Sequence, residues 1–588
     1  MRAETVRAAP AKDVSPAAPT ASQSARWRYL TLAIVLSATF MQLLDVSIVS
    51  IAIPPIQADL RASYSEIELL VGGYLLTFAC ALLVGGRLGD VYGRKRLFMI
   101  GMAGFTATSA LCGLAGEPTT LVVARLLQGL FSGLMFPQVL SVIQVVFRPA
   151  ERHRVYGIYG ATLGIATILG PLLGGLLIQA DLFNTGWRMI FLINLPIGIA
   201  ALVLGVWFLP ESKARDARRV DLLGATLVTV GLFLLVLPLT VGRDAGWPAW
   251  TFLMLATSVA VLAVFVGHQR QRSRCRCADR HEVPLIPWSM LRRRAVSVGL
   301  LLNLVFFLGV APFFFYFIIY LQTGAGFSAL EAGLATLPIA LAAAVASAVS
   351  EPLARRLGRS GLAAGCVLMT LGMGLIILTL HLEGGRPQIW SFVGDLIIAG
   401  FGLGLFVSLT TSVVLTGIRN DEAGAASGAL ATMQQAGGAI GIAVVGVLFF
   451  GLIGANANHA SAAQTATLRA ALTAATLPVQ AADEIVEGFR ACFLDRANQK
   501  DLSATPESCR LAQQRADKQM AHASPDVKAA VGRAMETASR NALAKDFTRS
   551  TAQTTLYEVA VFAAAFLLVL ALPRTDPTRI ETLPPGGV

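Results

Sequence analysis

The chain has 588 residues, 55% hydrophobic and 14% charged, with a mean hydropathy of +0.65, which excludes an ordinary soluble multidomain protein of this length. Its formal net charge of +12 does not indicate nucleic acid as a partner, because Lys and Arg sit in short loops between apolar runs, as the positive-inside rule distributes them. The composition describes an integral membrane protein.

Residues 1–26 are rich in Ala, Pro and Ser and too poor in apolar side chains to build a core, so a disordered tail is expected. The run from Leu30 to Ile53 is too long for a secretory signal, lacks a small-residue cleavage site and is followed by further spans, so it reads as the first membrane helix. Runs long enough to cross a bilayer follow at about 67–86, 97–116, 119–147, 154–179, 189–210, 222–242 and 249–267. Others lie at about 296–321, 330–350, 361–380, 390–416, 425–452 and 555–573, giving fourteen helices in an all-α polytopic fold. Basic residues collect in alternate loops (Arg94 to Arg96, Arg148 to Arg154, Lys213 to Arg219, Arg270 to Arg294, Arg355 to Arg359). This places those loops and both termini, including 574–588, in the cytoplasm, and the chain in the plasma (inner) membrane.

The loop Gly86-Arg-Leu-Gly-Asp-Val-Tyr-Gly-Arg-Lys-Arg96 joins two spans. Gly86 and Gly93 allow two helix ends to approach and turn, and Asp90 has Arg87, Arg94 and Lys95 nearby as partners. A fainter counterpart, Glu351 to Arg359, occupies the same place in the second half. It suggests six-helix halves at 27–212 and 296–573, with two helices inserted at 213–268. The cytoplasmic segment 269–295 reads as a basic loop facing membrane lipid. The spacing of His268, Cys275, Cys277 and His281 fits no common zinc pattern, and the interleaved arginines repel a cation, so no metal is expected.

Residues 455–554 form the one long hydrophilic insertion, extracytoplasmic by the alternation of spans. Short amphipathic helices forming a cap and a disordered segment are both open readings; a cap would serve as a lid or dock an envelope partner. An oxidising compartment allows Cys492 and Cys509 to pair.

Ionisable residues inside apolar spans are costly unless they face protein or water, which makes Asp45, Arg125 and Asp395 functional candidates. Asp45, about 22 Å along the first helix, and Arg125, about six residues into an inward-running helix, share the outer half of the membrane. Alternation of the Asp45 carboxylate between Arg125, a proton and substrate is one reading; a static buried ion pair is the other. Asp395 either acts on substrate or lies solvated near the outer surface.

Gly164, Gly170, Pro171, Gly174 and Gly175 make the fifth helix a pivot or simply a close-packing surface. The aromatic run Ala311 to Tyr320 either packs or lines a substrate cavity, to which Gln42, Gln128, Phe314, Tyr316, Tyr320 and Asp395 are assigned. No nucleophile and base are placed for hydrolysis, and Gly400, Gly402 and Gly404 lack a nucleotide-binding context, so neither an enzyme nor a cofactor is expected.

On these residues the chain resembles the major facilitator superfamily, and within it the fourteen-helix drug:proton antiporters. Gly86 to Arg96 resembles the signature between helices 2 and 3, and Leu44 to Pro54 the first-helix motif, with Ser47 and Ser50 in place of Thr and Asn. Arg125-Leu-Leu-Gln-Gly129 with Gly133 is similar to the fourth-helix motif. Gly170-Pro-Leu-Leu-Gly-Gly175 is similar to the antiporter motif, and Trp187 to Pro196 to the entry into helix 6. The resemblance implies alternating access driven by a proton gradient and export of amphipathic small molecules, drugs or self-made metabolites or lipids. Asp45 and Arg125 would couple protons, with Gly86, Asp90, Gly93 and Arg94 in a cytoplasmic gate that pairs Asp90 with Arg94 in the outward-facing state.

Overall fold

Long apolar runs bounded by Gly, Pro and charged turns become helices in the computed structural model, which describes residues 25–213, 219–274, 282–283, 285, 288–350, 358–384, 387–415, 423–499, 505–521 and 523–573. The expectations for residues 1–24, Cys275, Cys277, His281, the loop 351–357 and the tail 574–588 fall outside these residues. The first half comprises α1 (Ala25–Leu60), α2 (Tyr64–Tyr92), α3 (Arg94–Gly113), α4 (Pro118–Val146), α5 (Pro149–Ala180) and α6 (Gly186–Phe208). The inserted pair is α7 (Leu222–Ala245) and α8 (Ala249–Arg274). Then come α9 (Arg294–Gly324), α10 (Ala329–Ala348), α11 (Arg359–Glu383), α12 (Val393–Leu415) and α13 (Ala423–Ala462).

Among the described residues, thirteen helices are long and apolar enough to cross a membrane. The fourteenth, α3, is a 20-residue helix held within the first half despite its basic first turn and the polar Thr106, Thr108 and Ser109, all buried among its neighbours. Helix α4 packs on both α2 and α3, α5 on α1, and α6 on α1 and α3; in the second half α9 packs on α13 and α10 and α11 on α12. A two-residue parallel ladder, Arg219 and Val220 opposite Glu282 and Val283, ties the segments that flank the inserted pair.

The insertion is helical: α14 (Thr465–Ala474), α15 (Val479–Ala497), α16 (Glu507–Gln519) and the start of α17 (Pro525–Ala571). Leu468, Leu472, Ile485, Phe489 and Val531 bury into its own small core against Ala457 and Ala460 at the end of α13. Cys492 and Cys509 are disulfide-bonded, joining α15 to α16. The last membrane helix is far longer than the predicted 555–573. Pro525 opens α17 and nothing between it and Pro573 breaks the helix, so the Ala-rich polar segment and the apolar span form one rod of 47 residues.

The halves meet at the end of the bundle that carries the insertion. There a Cβ at Gly175 would stand 2.6 Å from Leu330 Cα, one at Gly333 would stand 2.6 Å from the Pro171 carbonyl, and Gln322 Nε2 donates to Ile51 O at 2.8 Å. Tyr64 stacks on Phe450 with centroids 3.9 Å apart. Toward the Arg94 end, Gly157, Gly160 and Gly164, on the same face of α5 as Pro171, have no described atom within 4 Å of a built Cβ, and neither has Gly428 of α13. Among the described residues, the groove between the halves is closed at the insertion end and open at the Arg94 end.

Asp221 caps α7 by accepting from Gly224 N–H at 3.0 Å, and it also binds His268 Nε2 at 3.1 Å and Gln269 Nε2 at 2.8 Å on α8. Burial works to raise its pKa, but these three bonds prevail and hold it below the usual carboxylate range. A carboxylate lowered by folding stabilises above its unfolded pKa and loses that contribution as pH falls through the folded value. Thermal midpoints of the purified protein are therefore expected to fall at acid pH below the normal Asp range, and Asp221→Asn to flatten that decline while lowering the midpoint at neutral pH. Cys492→Ser opens a loop closed at a separation of 17 residues. It is expected to cost about 3 kcal/mol of cap stability, read as earlier proteolysis of residues 465–520.

Candidate functional site

Asp45 sits midway along α1, and α4 presents Arg125 and, one turn on, Gln128 to it. All three are fully buried. Arg125 Nη1 donates to Asp45 Oδ2 and, at 2.8 Å, to Gln128 Oε1. Gln128 Nε2 and Asn194 Nδ2 donate to Asp45 Oδ1 at 3.1 and 3.2 Å, and Asn194 reaches Ser109 Oγ at 3.1 Å. Helices α1, α3, α4 and α6 thus each place a polar side chain at one point. A buried carboxylate needs this density of donors, since desolvation opposes its charge and only the cation and amides offset it.

The guanidinium is held from its other side by α2. Residues Leu69–Gly73 form a π turn, which frees backbone carbonyls that an α-helix would occupy, and Arg125 Nε donates to Leu70 O at 3.3 Å. Tyr74, just past that turn, lays its ring 4.2 Å from the guanidinium carbon, a cation–π contact. Its hydroxyl donates to Ser132 Oγ at 3.0 Å and interacts with Gln42. The close approach of α2 to α4 depends on glycine: a Cβ at Gly133 would stand 2.8 Å from Phe78 O, and one at Gly85 would collide with the Gly133 carbonyl.

The expected gate loop is built differently from the sequence reading. Asp90 pairs with Arg94 alone, at 3.0 Å, within the first half, and Gly93 makes the turn with φ +116°. Glu211, beyond α6, accepts from the Lys95 backbone N–H at 3.3 Å and lies 3.6 Å from Arg96, and Arg94 N–H donates to Ser212 O at 3.0 Å. The Asp90–Arg94 pair is made in this conformation, with both residues in the first half.

Gly170 and Gly174 pack against Ser47 and Ile48 of α1, while Pro171 and Gly175 meet α10, so this motif lies where the first half's interior touches the second half. Of the expected cavity residues, Gln42 and Gln128 belong to the Asp45 cluster. Tyr316 is buried inside the second half with its hydroxyl 3.0 Å from Thr555 Oγ1, and Tyr320 packs among Phe317 and Phe392. Neither lines the groove here; Phe314, half-buried on the next turn's face, is the more accessible ring. Asp395, half-buried, accepts from Thr379 Oγ1 at 2.7 Å and is remote from the Asp45 cluster.

The sequence reading missed Asn194, although it lies in the quoted segment Trp187 to Pro196, and the buried carboxylates Glu68 and Glu558. The available signal was the same for all three: a polar side chain isolated in an apolar run. Replacing Arg125 by Ala leaves Asp45 buried and unpaired and is expected to cost about 3–5 kcal/mol; Asp45→Asn with Arg125→Gln is expected to recover most of it. Thermal midpoints of the single and double variants in one detergent check this coupling.

Known proteins are similar to this chain. The Major Facilitator Superfamily model matches residues 35–442. A "Probable actinorhodin transporter" of Streptomyces coelicolor is 40% identical over 547 residues, 93% of this chain and 92% of that one. An alignment of that length runs through most of the insertion. The "Tetracenomycin C resistance and export protein" of Streptomyces glaucescens is 34% identical, covering 72% of this chain and 76% of its own. The "Puromycin resistance protein pur8" of Streptomyces alboniger is 32% identical, covering 72% and 82%. Among solved structures, a bacterial homologue of the human lysosomal transporter Spinster, inward-facing and unoccupied, superposes with a TM-score of 0.56 at 14% identity, covering 94% of this chain and 98% of that one. At that identity the likeness concerns fold.

Proposed function

The chain belongs to the Major Facilitator Superfamily and to its antibiotic and drug exporters, and we propose that it exports amphipathic, antibiotic-like small molecules from the cytoplasm in exchange for protons. The observation that carries the coupling is the ion pair of Asp45 and Arg125, buried where α1, α3, α4 and α6 converge. The relatives' names support the cargo class, self-made compound or foreign drug alike. Both termini and the Arg94 end face the cytoplasm in this reading, by the distribution of basic loops, so the groove described above is the inward-facing state.

A proton reaching Asp45 removes the charge that holds Arg125 Nη1. The guanidinium then rests on Gln128 Oε1 and on Leu70 O, and its pull falls on the π turn of α2. That turn contacts the other half: a Cβ at Gly72 would stand 3.4 Å from Ile442 Cγ2 and 3.7 Å from Ala439 O of α13. Protonation in the first half thereby acts on the seam that closes the insertion end, and opening that seam while the Arg94 end closes completes alternating access.

Everted vesicles loaded by a pH gradient test the reading with puromycin, tetracenomycin C and actinorhodin as candidate cargo. Wild type is expected to accumulate at least one of them when a gradient is imposed, and Asp45→Asn and Arg125→Ala to lose gradient-driven accumulation. Transport by both variants at the wild-type rate would overturn the coupling. Asp90→Ala is expected to lower turnover several-fold with little change in apparent affinity, because Asp90 fixes the α2–α3 turn and touches no part of the groove.

A further inference from the structure

The second half contains a carboxylic acid that the Asp45 mechanism does not use. Glu558 lies on α17, about 18 Å along the helix from Asp546 and about 20 Å from its far end at Ala571. It is fully buried, and neither side-chain oxygen has a hydrogen-bond partner among the described residues. The space it occupies is provided by a glycine: a Cβ at Gly309 of α9 would stand 2.5 Å from Glu558 Oε2 and 2.7 Å from the Phe562 ring. Asp45, by contrast, is met by a guanidinium and two amides.

The groups facing Glu558 offer no counter-charge. Helix α9 contributes the Tyr316 phenol, already bonded to Thr555, and α17 itself contributes Tyr557. Helix α13 has no titratable side chain between Ala426 and Phe450. On α11, Cys366 is buried within the span. Arg359 at one end is bonded to the carbonyls of Leu570 and Leu572, and His381 and Glu383 lie at the other end. An ionised carboxylate without a partner is not sustained in such surroundings, so the acid holds a proton in this conformation.

A polar line leads to it from the insertion end. Asp546, Ser550, Thr554 and Glu558 recur every four residues, on one stripe of α17, and all four are buried. Ser550 Oγ donates to Asp546 Oδ1 at 3.4 Å, Thr554 Oγ1 donates to Ser550 O at 2.8 Å, and Asn456 Nδ2 of α13 donates to Ser550 Oγ at 3.1 Å.

We propose that Glu558 is a second proton-binding site, separate from Asp45, which exchanges its proton with the insertion side through Asp546, Ser550 and Thr554. It would give the transporter a titratable group in each half. The proposal rests on the reading of the chain as proton-coupled, but its test does not depend on transport.

Infrared difference spectra of the full-length protein in liposomes, taken between neutral and alkaline pH, are expected to show a protonated carboxyl C=O band component that persists in Asp45→Asn and in Glu68→Gln and is lost in Glu558→Gln. On transfer to D2O, Ser550→Ala and Thr554→Val are expected to slow the deuterium shift of that band several-fold. Dicyclohexylcarbodiimide, which modifies protonated carboxyls in apolar sites, is expected to label the Glu558 peptide, and to label it less as pH rises. Absence of the band in folded wild type, or labelling independent of pH, would overturn the site; unchanged deuterium exchange in both hydroxyl variants would overturn the route. A normal Glu558 signature in a protein that ignores pH gradients would instead count against the coupling reading.

Discussion

A charge removed from water must find a partner or be neutralised, and this constraint governs the centre of the first half. Asp45 is tolerable only because Arg125, Gln128 and Asn194 converge on it. Their convergence requires α2 to approach α4 closely enough for Tyr74 and the Leu70 carbonyl to hold the guanidinium from behind. Gly85, Gly129 and Gly133 permit that approach, the π turn supplies the carbonyl, and Ser109 orients Asn194. The cluster is therefore a structural centre for four helices, and through Arg125 it touches α2, which also contacts α13.

Much of this was legible in the chain itself. Long apolar runs divided by basic loops gave the fourteen helices and the inserted pair, because the bilayer imposes one length on every span. Asp45 and Arg125 were visible as ionisable residues inside such runs, and the Gly170 to Gly175 cluster as a surface of close packing. The π turn was not legible, since Leu69 to Gly73 is an unremarkable apolar stretch whose extra residue per turn is set by packing against α4. Glu211 was missed because its meeting with Lys95 and Arg96 depends on where α6 ends in space. Glu558 was missed near the edge of a predicted span beginning at 555; with α17 continuous from Pro525, it lies deep within the buried part of the helix.

Asp45 and Glu558 are kept in the interior in different ways. Asp45 is surrounded by donors, the Arg125 guanidinium and the Gln128 and Asn194 amides. Glu558 is surrounded by Gly309, Phe562 and Tyr316 and has no hydrogen-bond partner among the described residues. In the proton-coupled reading proposed above, these two carboxyl groups would be the proton sites of the two halves.

The 47-residue α17 and the 40-residue α13 each run unbroken from the membrane into the cap, and the Cys492–Cys509 bridge locks the helices between them. At 1.5 Å per residue α17 is a rod about 70 Å long. A rigid lever of that length magnifies small rotations of the second half into large excursions at its outer tip. Gating at the groove is thus mechanically continuous with a point well outside the bilayer, where a load that restrains the tip would hold the transporter in one state.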